Sequence, residues 1–150
     1  MADEIFPDAQ RRLVQVGERI TGQVCLSREE IATFARLCGD LNPLHHDEDY
    51  ARHTRFGGII ACGPQVTSLM MGLTATYFSQ GKVMLGLEFT FRFRKAVKAG
   101  ESIALAWEVV AAEPKASLQG ELVTLEGKVT NPQGQIVLTG VGKVLVTDTL

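Results

Sequence analysis

From Gln65 to about Ser79 the chain reads Q-V-T-S-L-M-M-G-L-T-A-T-Y-F-S, with apolar or small side chains at nearly every position. A helix of that composition offers no face to water and has to be buried. Pro64 stands at its first turn, where the missing N–H costs nothing, and Gly81 is a natural stop. No apolar run approaches the ~20 residues that would cross a bilayer, so protein rather than lipid must cover this helix.

The segments C-terminal to this helix are able to cover it. Leu87, Phe89, Phe91 and Phe93 alternate with Glu88, Thr90, Arg92 and Arg94. This two-residue period predicts a strand with one face in the core and one in water. Ile103, Leu105, Trp107 and Val109 repeat the pattern, as do Val123, Leu125, Gly127 and Val129. Asn131-Pro132-Gln133-Gly134 is a strong turn, which makes the last segments a hairpin ending near Val146. One central helix under antiparallel strands is an α+β arrangement.

Ahead of the helix, residues 1–10 read as a flexible tail and residues 20–26 as a short strand. Ser27-Arg28-Glu29-Glu30 is a capping box. Ile31, Phe34, Ala35 and Cys38 recur at helical spacing, so an amphipathic helix is expected over residues 28–38, closed by Gly39. The segment D-L-N-P-L-H-H-D reads as a loop, with Pro43 steering Asn42 away from helical angles and a short helical turn after it at residues 48–52.

A chain of 150 residues makes one domain, expected over residues 11–150. A net charge of −2 gives no prior for nucleic acid. Three cysteines without C-x-x-C spacing argue against a disulfide framework or a zinc cluster, and a reducing, cytoplasmic setting is the simplest expectation. The first residues lack the long apolar core of a secretory signal, and no membrane association is expected.

The chemically informative segment is Asp40-Leu41-Asn42-Pro43-Leu44-His45. It places a carboxylate, an amide and an imidazole on one proline-stiffened loop, where acid and imidazole can share proton transfer on a water. Spacing alone leaves a plainer reading open, in which Asp40 and Asn42 make turn bonds and His45 lies on the surface. Ala61-Cys62-Gly63-Pro64 leads into the buried helix. Its free N–H groups and dipole would stabilise negative charge developing on a carbonyl oxygen, although a simple tight turn is the alternative. Ser68, one turn in, either reaches back towards Asp40 or simply allows close packing.

The run F-A-R-L-C-G-D-L-N-P-L-H-H-D-E-D-Y-A-R, then R-F-G-G-I-I-A-C-G and F-R-F-R-K-A-V-K-A-G-E-S, resembles the MaoC-like dehydratase family, which includes the (R)-specific enoyl-CoA hydratases. The resemblance covers residues 16–101 well and the later strands more loosely. It implies a hot-dog fold, in which a long helix is wrapped by an antiparallel sheet. It implies reversible hydration of a 2-enoyl thioester of coenzyme A or acyl-carrier protein, with no cofactor or metal beyond the coenzyme A of the substrate. It also implies a homodimer or a dimer of dimers. Matched by motif, Asp40 and His45 are the catalytic pair and Asn42 orients the site. Gly63 is the backbone donor to the thioester oxygen, and Ser68 supports the acid.

Cys62 departs from the family, which often has histidine there, and reads as a small buried thiol or a reactive one. Gln65 replaces a usually apolar residue, and either lines the pocket or faces water. His46 reads as exposed or as an alternative base. Cys25 and Cys38 fit strand and helix patterns as core residues, and His53 reads as solvated. Arg92, Arg94, Lys95 and Lys98 read either as the wet face of an edge strand or as an attraction for coenzyme A phosphates. A hot-dog thioesterase and a non-catalytic acyl-thioester-binding subunit are the competing functions.

Overall fold

The computed structural model describes residues 13–148; the tail expected at residues 1–10 lies outside them. Strand β1 (Arg19–Cys25) leads to helix α1 (Arg28–Leu37), a 3-10 turn (Pro43–His45), helix α2 (Glu48–Arg52) and helix α3 (Gly63–Phe78). Four strands follow: β2 (Val83–Phe93), β3 (Ser102–Lys115), β4 (Gly120–Thr130) and β5 (Ile136–Thr147). They form one antiparallel sheet with β1 in the order β1-β3-β4-β5-β2. Although β2 comes directly after the helix, it lies at the far edge from β1. The sheet therefore curls around α3 from both sides.

The capping box at Ser27 is formed in full: Ser27 Oγ accepts from Glu30 N, and Glu30 Oε2 accepts from Ser27 N. Two reciprocal bonds at one helix start fix where α1 begins, and Ile31 and Ala35 turn its buried face inward. The turn after β4 is closed by Asn131, whose Oδ1 accepts from Gln133 N and Gln135 N.

Ile103, Leu105, Trp107 and Val109 of β3 are all buried, as are Val123, Leu125 and Val129 of β4. Trp107 lies at the centre. Its indole Nε1–H donates to the backbone carbonyl of Met70 in α3 at 2.8 Å, a buried bond between sheet and helix. Phe89 and Phe91 stack on each other and meet the Trp107 ring edge-on. Glycine at 127 and 140 makes room for these rings. A Cβ at Gly127 would lie 2.6 Å from Trp107 Cδ2 and 2.8 Å from Met70 Cε.

Three expectations are corrected. Helix α3 buries a stripe rather than its whole surface: Val66, Met70, Thr74 and Phe78 are covered, whereas Met71 is 40% exposed. The composition reads as all-round burial because, Met71 apart, its outward face is made of proline, small residues and threonine. The β2 alternation is broken by a register shift between Gly86 and Glu88, which leaves Leu87 without a cross-strand partner and exposed. Phe93 is also exposed, at the strand's end. Cys25 and Cys38 are exposed, because Cys25 ends an edge strand and Cys38 is the C-cap of α1. Among the described residues, no helix is long and apolar enough to cross a membrane.

Overpacking at the indole should be costly. Gly127→Ala is expected to lower stability by about 1–3 kcal/mol, read as a reduced urea midpoint at unchanged slope.

Candidate functional site

The loop after α1 is held almost wholly by polar bonds. Gly39, at φ +77°, reverses the chain in a conformation that suits glycine, and Asp40 N–H donates back to Ala35 O at 2.8 Å. Asp40 Oδ1 accepts from Asn42 N at 3.0 Å, and Asn42 Oδ1 accepts from Leu44 N at 3.1 Å. Pro43 opens the 3-10 turn and leaves His45 at its end. These are the turn bonds of the plainer sequence reading. They coexist with an imidazole that is buried, at 6% exposure, rather than on the surface.

His45 is fixed at both ring nitrogens. Nδ1 lies 2.8 Å from the carbonyl oxygen of Ile60. A carbonyl oxygen only accepts, so Nδ1 carries a hydrogen and Nε2 is the nitrogen left for chemistry. Nε2 faces Asp40 Oδ2 at 3.3 Å. That separation is longer than the about 2.7–2.9 Å of a tight charge-assisted bond, as is common where such a contact tightens only around a substrate.

The Ile60 backbone joins the site's parts. Its N–H donates to Leu44 O, its carbonyl accepts from His45, and it bridges to Lys98. Ala61 N–H donates to Val97 O at 2.8 Å. The residues leading into α3 are thereby stitched to the His45 loop on one side and to the β2–β3 connection on the other. Gly63 then opens the helix, where first-turn N–H groups have no partner within the helix.

His45, Asn42, Gly63 and Val66 line one cleft of about 940 Å³. Phe93 forms part of its wall, with ring atoms 3.1 Å from where a Cβ on Gly63 would sit. The cleft is also lined by four basic residues, Arg55, Arg94, Lys95 and Lys98, and by one acid, Glu101. Arg92, grouped with the basic residues by sequence, does not line it. Asp40 reaches the cleft through His45, with its side chain about 28% exposed.

Besides Asp40, three expected site residues do not line the cleft: Cys62, Gln65 and Ser68. Ser68 is exposed and shares no hydrogen bond with Asp40 among the described residues; it lines a separate groove of about 490 Å³ with Gln65, Phe34 and Leu73. Gln65 is 5% exposed, with Nε2 3.5 Å from Glu30 O and Oε1 without a hydrogen-bond partner. It therefore neither lines the His45 cleft nor faces water. Both side chains leave α3 on the side towards α1 and β1, a rotation that the sequence does not reveal. Sequence reasoning also missed the Ile60 carbonyl, Arg55 and Phe93. A backbone acceptor leaves no mark in the sequence. Arg55, beside the glycine pair and close to the motif, was the signal available. His53 is exposed, as expected, but His46 is half-buried.

Known proteins share this fold. A model of the MaoC like domain matches residues 11–131. The chain belongs to the MaoC-like domain family. An (R)-specific enoyl-CoA hydratase of Aeromonas caviae is 28% identical over 128 residues, covering 85% of this chain and 91% of the relative. A 3-hydroxybutyryl-CoA dehydratase of Methylorubrum extorquens is 30% identical over 90 residues, covering 60% of this chain and 57% of that longer protein. The solved (R)-hydratase from A. caviae, involved in PHA biosynthesis, superposes with a TM-score of 0.79 at 28% identity, covering 87% of this chain and 96% of that one. The helix under a five-stranded antiparallel sheet is the hot-dog fold of these MaoC-like proteins.

Within this MaoC-like domain, Cys62 is the N-cap of α3 and is fully buried. Burial pushes its thiol pKa up, and the nearby Cys38 and Asp40 charges add to this, against a smaller opposing pull from the Gln65 N–H. A raised pKa keeps the thiol protonated at neutral pH, and the thiol form is a poor nucleophile. Iodoacetamide at neutral pH should therefore label Cys25 and Cys38 well before Cys62, as tracked by peptide mass spectrometry; equal labelling rates would contradict this.

Proposed function

We propose that this chain reversibly adds water across the double bond of a 2-enoyl thioester, giving the 3-hydroxyacyl thioester. The observation that carries the reading is the Asp40–His45 pair, with Nδ1 of the imidazole committed to Ile60 and Nε2 turned to the carboxylate. The names of its relatives, hydratases and dehydratases acting on acyl thioesters, point the same way.

The chemistry is set by the donors. Asp40 Oδ2 and His45 Nε2 share a water poised over the β-carbon. The pair takes one proton from that water as its oxygen bonds to the β-carbon. The electron pair of the double bond moves towards the thioester carbonyl, whose oxygen gains negative charge. Gly63 N–H, with the α3 dipole behind it, is the donor for that oxygen. The pair then returns a proton to the α-carbon and is restored. Dehydration is the same path reversed. Asn42 serves by holding the loop through its bond to Leu44. Ser68 and Gln65 have no part in this step.

The basic side chains of the cleft fit the carrier. Arg55, Arg94, Lys95 and Lys98 make no ion pair with a carboxylate among the described residues, and the phosphates of coenzyme A or of a phosphopantetheine arm suit them. The exposed edge of β2, with Leu85, Leu87 and Phe93, supports pairing of two copies into a homodimer.

Asp40→Asn and His45→Ala are each expected to slow hydration of a short enoyl-CoA by about 10²–10⁴-fold with folding intact, measured as loss of enoyl absorbance. Unchanged rates in both would reject the assignment. Release of free thiol from a saturated acyl-CoA would instead identify a thioesterase. Ligand-induced stabilisation without turnover would identify a binding subunit.

A further inference from the structure

Of the two imidazoles that the hydration step leaves unused, His46 is the one beside the site. Its ring is half-buried and does not line the cleft. Its Nε2 lies 2.7 Å from the backbone carbonyl oxygen of Asp40, across six residues of chain. The acceptor is again a carbonyl, so Nε2 must carry the hydrogen. This is the reverse of His45, which carries its hydrogen on Nδ1. Two successive imidazoles, with ring centroids 6.4 Å apart and planes at 71°, are thus held in opposite protonation patterns by two different backbone carbonyls. His46 cannot serve as a second base from this position, because its Nε2 is occupied and its ring is outside the cleft.

The bond closes the loop that presents the carboxylate. Asp40 is anchored on its N-terminal side by its N–H to Ala35 O. On its C-terminal side the chain has no apolar anchor, since Leu41 is 75% exposed and Asn42 and Pro43 are exposed as well. The Asn42 N–H bond to Asp40 Oδ1 ties the carboxylate to this stretch, so turning of the peptide between Asp40 and Leu41 would carry the carboxylate away from His45 Nε2. The carbonyl of that peptide is the group that His46 holds.

We propose that His46 is a positioning residue, whose Nε2–H clamps the Asp40 main chain so that the carboxylate stays against His45. The purpose of the clamp rests on the hydration reading above; the clamp itself rests on the His46–Asp40 contact. Glutamine carries an amide N–H at a comparable reach and should restore the bond, whereas alanine removes it.

Two measurements test this. The first is the ring-nitrogen pattern of His46 by ¹⁵N–¹H correlation NMR of the intact protein in mildly alkaline buffer, assigned by its loss in His46→Gln. A hydrogen on Nε2 is expected, and a hydrogen on Nδ1 overturns the clamp whether or not the protein is a hydratase. The second is hydration kinetics. His46→Ala should lower kcat on the order of tenfold to a hundredfold at nearly unchanged KM, since small misplacement of a reacting group costs rate rather than binding. His46→Gln should recover most of that loss. Equal losses in both variants, or no loss in either, overturn the positioning role. A parent protein without turnover on enoyl or 3-hydroxyacyl thioesters rejects the hydration reading instead, and the NMR result then still decides the clamp.

Discussion

The bond from the Trp107 indole to the Met70 carbonyl sets the height and rotation of α3 against the sheet. It is possible only because Gly127 and Gly140 leave space for the rings that surround it. A buried indole N–H without an acceptor would cost about 1–3 kcal/mol, so sheet and helix are tied by a polar constraint as well as by apolar area. With α3 fixed, its first residue is fixed too, and that residue, Gly63, lines the cleft. The distance from indole to glycine is bridged by rigid helix, so the core and the site are parts of one framework.

The other half of the site hangs on Ile60. This residue is apolar and buried, and its side chain does nothing chemical. Its two backbone groups bond to the His45 loop, one to Leu44 and one to the His45 ring. The backbone entering α3 thereby selects which nitrogen of the imidazole is left for the carboxylate. Burying an imidazole is unfavourable unless its polar atoms are met, and here the partner that meets one of them also orients the other.

Much of this was readable in the sequence, for identifiable reasons. The capping box at Ser27, the two-residue period of β3 and β4, and the turn at Asn131 are local signals, and each element formed where local chemistry placed it. The D-L-N-P-L-H segment gave away the loop and the proximity of Asp40 to His45, because proline and asparagine fix the chain over so short a span. What was hidden depends on three-dimensional phase. The rotation of α3 sends Ser68 and Gln65 into a different groove. The irregularity after Gly86 spoils the parity of Leu87. Exposure of Cys38 depends on where α1 stops, and the Ile60 carbonyl has no side-chain code at all.

The strand order β1-β3-β4-β5-β2 also bears on how the molecule comes into being. Helix α3 is synthesised before any strand that lies beneath its central tryptophan contact, and β2 has to wait for β5, the last of these five strands, before it gains a neighbour. Pairings so distant along the chain are slow to form, and apolar surface without cover in the meantime invites aggregation. β1, β3 and β4 can pair once β4 is made, but β2 cannot join them until β5 exists, so closure of the sheet around α3 waits for the final hairpin.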